Sequence, residues 1–284
     1  GAMGAARPWP HDGGAELPRG CGAAAAAALA VRLVPAWRGA DAGAVRGDAV
    51  SGGLTNRLVR LSAGEGCPDL LLRLYEGDTD KFVGREHEAA VLAQARAVGL
   101  GAPILASFAN GRFELFLSAA RTAACEDMSR PPLFPAVPRL MRLVHEHVRP
   151  EGSREPQQFV TARRWLRECV KLGEAAAGGD GAGDGGHDFR AWQEEVDWLE
   201  ALCAREGSPV VFCHNDIHSL NVMVGVEEEG VEEGGTRVQL IDFEYGSYGH
   251  RGFDLGNHFN EYCGFECRDR SEERRVGKEC PLLC

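Results

Sequence analysis

Residues 213–221 read "CHNDIHSLN", which places a thiol, two imidazoles, a carboxylate and two amides in one short run. The apolar stretches on either side, "PVVF" (209–212) and "NVMV" (221–224), read as short strands, so the polar run is a loop between them. Three chemistries compete for it. His214, Asp216 and His218 lie two apart, and on an extended strand they would share a face as zinc ligands do. The same side chains could form a hydrogen-bonded turn. Alternatively, Asp216 and Asn221 form Asp-x-x-x-x-Asn, a carboxylate to orient an attacking hydroxyl and an amide oxygen for a hard cation.

The third reading gains a partner 21 positions after Asn221. "LIDFE" (240–244) ends an apolar strand on Asp242 beside Phe243. A protein-kinase catalytic loop has the same Asp-to-Asn spacing, and a downstream Asp-Phe pair binds Mg²⁺ between the phosphates. The zinc set lacks a further His/Cys cluster to complete it. On the kinase reading Asp216 is the general base, and Asn221 and Asp242 hold Mg²⁺. His218 is then a spacer.

Phosphoryl transfer also needs a cation for the nucleotide, and the first half of the chain offers one. "LTNRLVRLSA" (54–63) and "DLLLRLYE" (69–76) read as paired strands. "GREHEAAVLAQARAVGL" (84–100) has helical spacing, with acids in its first turn. "PILASFA" and "RFELFLS" flank Asn110-Gly111, a hairpin signal. Arg73 on the second strand and Glu88 on the helix are expected to form a strand–helix ion pair, with Arg73 reaching phosphate. "SGGLTN" (51–56) would lay Gly52, Gly53 and Asn56 over the nucleotide as a flexible loop.

Residues 50–120 thus read as a β-β-α-β-β N-lobe that binds nucleotide, and 121–267 as a larger, mainly helical C-lobe. Helical patterns cover roughly 136–148, 159–176 and 189–206, interrupted by the linker "GGDGAGDGG" (178–186). The expected class is α+β, a two-lobed protein-kinase-like fold with its ligands in the cleft between lobes. Residues 1–49 are read as mostly disordered or irregular, because 1–27 are rich in Gly, Ala and Pro. The formal charge of -11 argues against nucleic acid and suits a cationic small molecule. No apolar run approaches membrane length; "AAAAAALAV" (23–31) is short and Ala-rich. Ten cysteines without a C-x-x-C pair fit reduced thiols and a cytoplasmic setting.

"SPVVFCHND" (208–216), "NVMV" (221–224), "LIDFEYGSYGHRGFDLGNHFNEY" (240–262), "GLTNRLV" (53–59) and "LLRLYEGDTD" (71–80) together resemble the choline/ethanolamine kinases, with the ethanolamine kinases looking closest. The likeness runs over about residues 50–266. It implies ATP-dependent phosphorylation of an amino alcohol's hydroxyl, the first step of the ethanolamine or choline branch of phospholipid synthesis. By position it implies Asp216 as base, Asn221 and Asp242 on Mg²⁺, and Arg73 on phosphate with Glu88 paired to it. Glu261 would face the substrate ammonium, and Asp254 and His214 would brace the catalytic loop. Asn260 stands where ethanolamine kinases tend to carry Asn and choline kinases Cys, so ethanolamine is the expected substrate. Choline, an aminoglycoside-type substrate, and an inactive fragment that only binds nucleotide stay open. The expected partner is the small amino alcohol, with homodimerisation left open.

The likeness stops near Glu266. "RSEERRVGKEC" (270–280) matches a frame-wise translation of a common short-read sequencing adapter, so residues 268–284 are read as an assembly artefact and the C-lobe as truncated.

Overall fold

The computed structural model describes residues 7–50, 56–75, 85–177, 188–225 and 238–261. The Gly52–Gly53 loop, the linker at 178–186, most of the acidic turn at 225–235 and the tail at 268–284 lie outside the described residues.

Two hydrophobic clusters organise the chain, and each corresponds to a lobe. The small lobe is built on a six-stranded sheet. In chain order its strands are β1 (His11–Asp12), β2 (Arg46–Val50), β3 (Asn56–Ser62), β4 (Leu70–Tyr75), β5 (Ile104–Phe108) and β6 (Gly111–Leu115). Their spatial order is β1-β5-β6-β4-β3-β2, antiparallel except for the β1–β5 pair. Strands β3 to β6 match the sequence reading to within three residues, since their alternating apolar positions bury one face of the sheet. The hairpin at Asn110-Gly111 is present. A Cβ at Gly111 would come within 2.6 Å of both the Arg73 carbonyl and the Phe108 ring, so the close β4–β6 approach requires glycine.

The reading of 1–49 as mostly disordered or irregular is corrected for the described part of that segment. Helix α1 (Ala23–Leu33) buries Ala26, Ala27, Leu29 and Ala30 along one face. Alanine is the strongest helix former, and its small side chain lets the helix approach the sheet closely. A Cβ on Gly47 would come within 2.6 Å of the Ala23 Cβ. Trp37 is fully buried, and its Nε1 donates to the Pro68 carbonyl at 2.8 Å. Its burial contributes on the order of 2–3 kcal/mol. Upstream, the Asn110 side chain clasps Leu17, accepting from its N–H at 3.0 Å and donating to its carbonyl at 2.7 Å. The lobe therefore begins well before residue 50. Gly- and Ala-rich composition concealed this, because the ordering contacts are long-range.

The large lobe follows β7 (Arg121–Thr122). Its elements are α3 (Leu133–His147), α4 (Gln157–Ala177), α5 (Phe189–Arg205), β8 (Val210–Cys213), β9 (Val222–Val224), β10 (Val238–Leu240), β11 (Ser247–His250) and α6 (Gly252–Asn260). Strand β8 pairs with β11, and β9 pairs with β10 and β7. The small-lobe helix α2 (Arg85–Ala97) buries Val91, Leu92 and Ala95 in the same cluster as Val137, Met141 and Val144 of α3 and Val222 and Leu240 of the short strands. This helix therefore belongs to the large lobe's core as much as to the sheet.

Candidate active site

The catalytic loop leaves one small sheet and enters another, and this fixes both of its ends. Strand β8 delivers Cys213, and β9 begins at Val222. Between them Asn215 takes the left-handed conformation (φ 65°), which Asn tolerates better than most residues. Four groups hold it there. Its N–H donates to Asp254 Oδ1 (2.8 Å), its Nδ2 donates to the Tyr245 carbonyl and Ser247 Oγ (2.9 Å each), and its carbonyl accepts from Asn257 Nδ2 (3.0 Å).

Asp254, fully buried on α6, is the centre of this bracing. Its Oδ2 accepts from the His214 N–H at 3.0 Å and from His145 Nε2 on α3 at 2.8 Å. The His214 ring donates through Nε2 to the Ile241 carbonyl (2.9 Å) and packs on Phe243 with centroids 4.7 Å apart. Each of these contacts ties the loop to the segment bearing Asp242. The Ile241 N–H donates to the Asn221 carbonyl at 3.0 Å, which brings Asn221 and Asp242 to one edge of the cleft. Asp242 is also left-handed (φ 63°).

Within the loop, Asn221 Nδ2 donates to the Asp216 carbonyl and to Asp216 Oδ2, both at 2.9 Å. The amide nitrogen is thus committed to Asp216, and the amide oxygen remains for a cation. His218 Nε2 lies 3.3 Å from the same Asp216 oxygen. Burial pushes the Asp216 carboxyl up. The bond to and charge of His218, with His214 and Asn221, outweigh it and hold the group below the usual carboxylate range. Glu261 accepts from the Ser219 N–H at 3.2 Å, and burial, with Asp216 nearby, holds its carboxyl above the usual range.

The H-x-D-x-H zinc face does not form. The chain is not a strand beyond Cys213, and the His214 ring turns to Ile241 while Asp216 and His218 face each other. Among the described residues, the ligand atoms that cluster are those of His145, Cys213 and Asp254. Both Asp254 oxygens there already accept hydrogen bonds, and burial raises the Cys213 thiol pKa far enough to keep it protonated. That cluster is a brace.

The expected Arg73–Glu88 pair is corrected. Arg73 Nε bonds Glu114 Oε1 (3.2 Å) and its Nη1 lies 3.4 Å from Asp242 Oδ2, whereas Glu88 takes Arg112 Nη1 (2.6 Å). Arg112 Nε also bonds Glu114 (2.5 Å). Register explains the exchange, because Arg73 and Arg112 sit directly opposite on β4 and β6. Two like charges at that position need an acid between them, and Glu114, two residues along the same face of β6, supplies it. The result is a chain Glu88–Arg112–Glu114–Arg73–Asp242, buried as far as Arg73 and partly open at Asp242. Burial alone would lower the Arg73 pKa, but Glu114 and Asp242 raise it overall. Sequence reasoning missed Arg112 and Glu114; two charges alternating with apolar residues in "GRFEL" were the available signal.

Two cavities are lined by members of this set. One, of about 320 Å³, lies under the sheet and includes Leu58, Arg73, Phe116, Leu117, Asn221 and Asp242 among its walls. The other, of about 500 Å³, includes Asp216, His218, Asn257, Trp165, Tyr245 and Phe253. The aromatic residues and Asn257 were not foreseen. Asn260, foreseen on the amine side, is exposed at the end of α6. Asn56 donates to Glu244 at 3.3 Å, from the small lobe across to the segment following Asp242.

The sequence model of the choline/ethanolamine kinase family matches residues 48–271. The chain is 35% identical over 231 residues to a probable ethanolamine kinase of Arabidopsis thaliana, covering 77% of this chain and 56% of that protein. It is 32% identical over 237 residues to a human choline/ethanolamine kinase, covering 80% and 57% respectively. The chain therefore spans about half the length of the curated relatives it matches. The fold is shared with a Plasmodium vivax ethanolamine kinase (TM-score 0.65, 23% identity, 85% of this chain and 70% of that one). With a family match across most of the chain, and a braced Asp216–Asn221–Asp242 set between two lobes of kinase architecture, this protein belongs to the choline/ethanolamine kinase family.

Proposed function

We propose that the chain transfers the γ-phosphoryl group of ATP to the hydroxyl of ethanolamine, giving phosphoethanolamine and ADP, at the head of the ethanolamine branch of phospholipid synthesis. The observation that carries the reading is one braced set lining two cavities, Asn221 and Asp242 in one and Asp216 in the other, with Asn221 Nδ2 bonded to Asp216 Oδ2. Nucleotide binding is assigned to Arg73 and Asn56 of the small lobe and, on the sequence pattern alone, to Gly52 and Gly53. The apolar walls of the 320 Å³ cavity suit a base, and Arg73 supports phosphate binding. Glu88 contributes through Arg112 and Glu114.

The donor set suits Mg²⁺, a hard cation that takes oxygen ligands. Asn221 would offer its amide oxygen and Asp242 its carboxylate, which is a quarter exposed. Held by these oxygens, such an ion would supply charge neutralisation to the phosphates. Asp216, ionised at neutral pH, accepts the hydroxyl proton and aims the oxygen at phosphorus. Asp254 and His214 keep the loop in shape. Glu261 is assigned to the substrate ammonium.

Choline is the second reading. Trp165, Tyr245 and Phe253 favour it, since aromatic faces hold a quaternary ammonium by cation–π attraction. Glu261 and the amide of Asn260 favour a hydrogen-bonding –NH₃⁺. ADP release measured with each amine decides between them, and equal or faster turnover of choline refutes the ethanolamine assignment. Among the described residues no helix is long and apolar enough to cross a membrane. The described cysteines are unpaired, which supports assigning the enzyme to the cytosol.

A further inference from the structure

We propose that His218 is a positioning residue for this reaction, fixing which oxygen of Asp216 meets the acceptor hydroxyl. The inference rests on the reading of Asp216 as base. Two donors, His218 Nε2 at 3.3 Å and Asn221 Nδ2 at 2.9 Å, converge on the same oxygen, Oδ2. A carboxylate held twice at one oxygen resists rotation about Cβ–Cγ, and Oδ1 is left without a hydrogen-bond donor among the described residues. That oxygen is the one able to take the hydroxyl proton. Asn221 alone restrains the group weakly, because its Nδ2 is divided between the Asp216 carbonyl and Oδ2.

The placement of His218 is itself fixed. Its N–H donates to the Asp216 carbonyl (3.1 Å) and its carbonyl accepts from the Asn221 N–H (2.9 Å), so the backbone spans the two residues it serves. The ring forms part of the wall of the 500 Å³ cavity beside Asn257 and Tyr245. A competing role exists for an imidazole at this place. It could be a wall residue that only shapes the amine site, and its removal would then act on amine KM.

The test uses the full chain with three variants, His218→Leu, His218→Gln and Asp216→Asn. Expected for His218→Leu is a fall in kcat of roughly tenfold, equivalent to ~1.4 kcal/mol, with KM for ATP and amine unchanged. His218→Gln restores an N–H donor and is expected to recover most of the loss. An unchanged kcat in His218→Leu, a glutamine variant as slow as the leucine one, or a loss confined to amine KM overturns the proposal. Asp216→Asn separately tests the underlying reading: full activity in that variant removes the base assignment and the proposal with it. A readout independent of turnover is the ¹⁵N ring spectrum of histidine-labelled protein. The His218 Nε2 resonance, assigned by its disappearance in His218→Leu, is expected to move in Asp216→Asn while that of His250 stays; an unmoved resonance overturns the pairing.

Discussion

His258 makes the acid stability of the large lobe calculable. It lies on α6, buried, one turn after Asp254. Desolvation lowers its pKa from 6.5 to about 4, against opposing contributions from a backbone hydrogen bond to Ile217 and the Asp254 charge. Above pH 6.5 the ring is neutral in folded and unfolded chains alike, and stability does not depend on it. As pH falls below 6.5 the unfolded chain takes up a proton that the folded chain refuses, so stability is lost progressively until about pH 4. At ~1.36 kcal/mol per pH unit, the span from 6.5 to about 4 costs about 3 kcal/mol. The assay is urea unfolding of wild type and His258→Asn at half-unit steps from pH 7.5 to 4. The substitution carries its own packing cost, so the quantity compared is the slope with pH. Wild type is expected to lose about 3 kcal/mol more than the variant across this window. Equal slopes would refute the argument, because they would mean that the ring takes up its proton without unfolding.

Replacing Arg112 with Met leaves Glu88 and Glu114 buried beside a neutral side chain; a loss of ~3–5 kcal/mol is expected in denaturant unfolding, and a loss below ~1 kcal/mol would contradict the buried chain. Asp254→Asn turns an amide nitrogen toward donors that need an acceptor; turnover should fall together with stability, by ~2–4 kcal/mol in unfolding. Iodoacetamide at neutral pH should label exposed Cys169 in the native protein and spare Cys213, whose thiol is buried and held protonated; mass spectrometry of the peptides reads this directly. Mg-ATP should raise the melting temperature, and Asp242→Asn should abolish that rise, since a ligand confined to the native state stabilises it by mass action.

What was legible in the sequence was local. Asp216 and Asn221 lie within one loop, and their spacing alone suggested their chemistry. The strands β3 to β6 and helix α2 carried their own periodicity. What was not legible depended on register and distance. Arg73 was expected to reach Glu88 because the two looked like a pair in isolation; the β4–β6 register inserted Arg112 between them. His145 meets Asp254 across 109 positions, and no pattern in either segment announces it. Trp165, Tyr245 and Phe253 come from separate elements and acquire a common purpose only when α4 and α6 pack beside the loop. Helix α1 was hidden by composition, since an alanine run looks equally at home in a tail.

The sheet order has a practical consequence for anyone cutting this protein down. The family match begins at residue 48, an inviting place to start a shorter version. Yet β1 and the first two residues of β2, the outermost strands on opposite sides of the sheet, lie before that point. Beginning there would strip β5 of its cover and shorten that of β3, baring raw edge whose unpaired amides and carbonyls invite chain-to-chain pairing. Such a fragment should precipitate or form higher oligomers, and a start at residue 7 should not. The leader that looked dispensable serves as the selvage of the sheet, keeping its weave from unravelling into its neighbours.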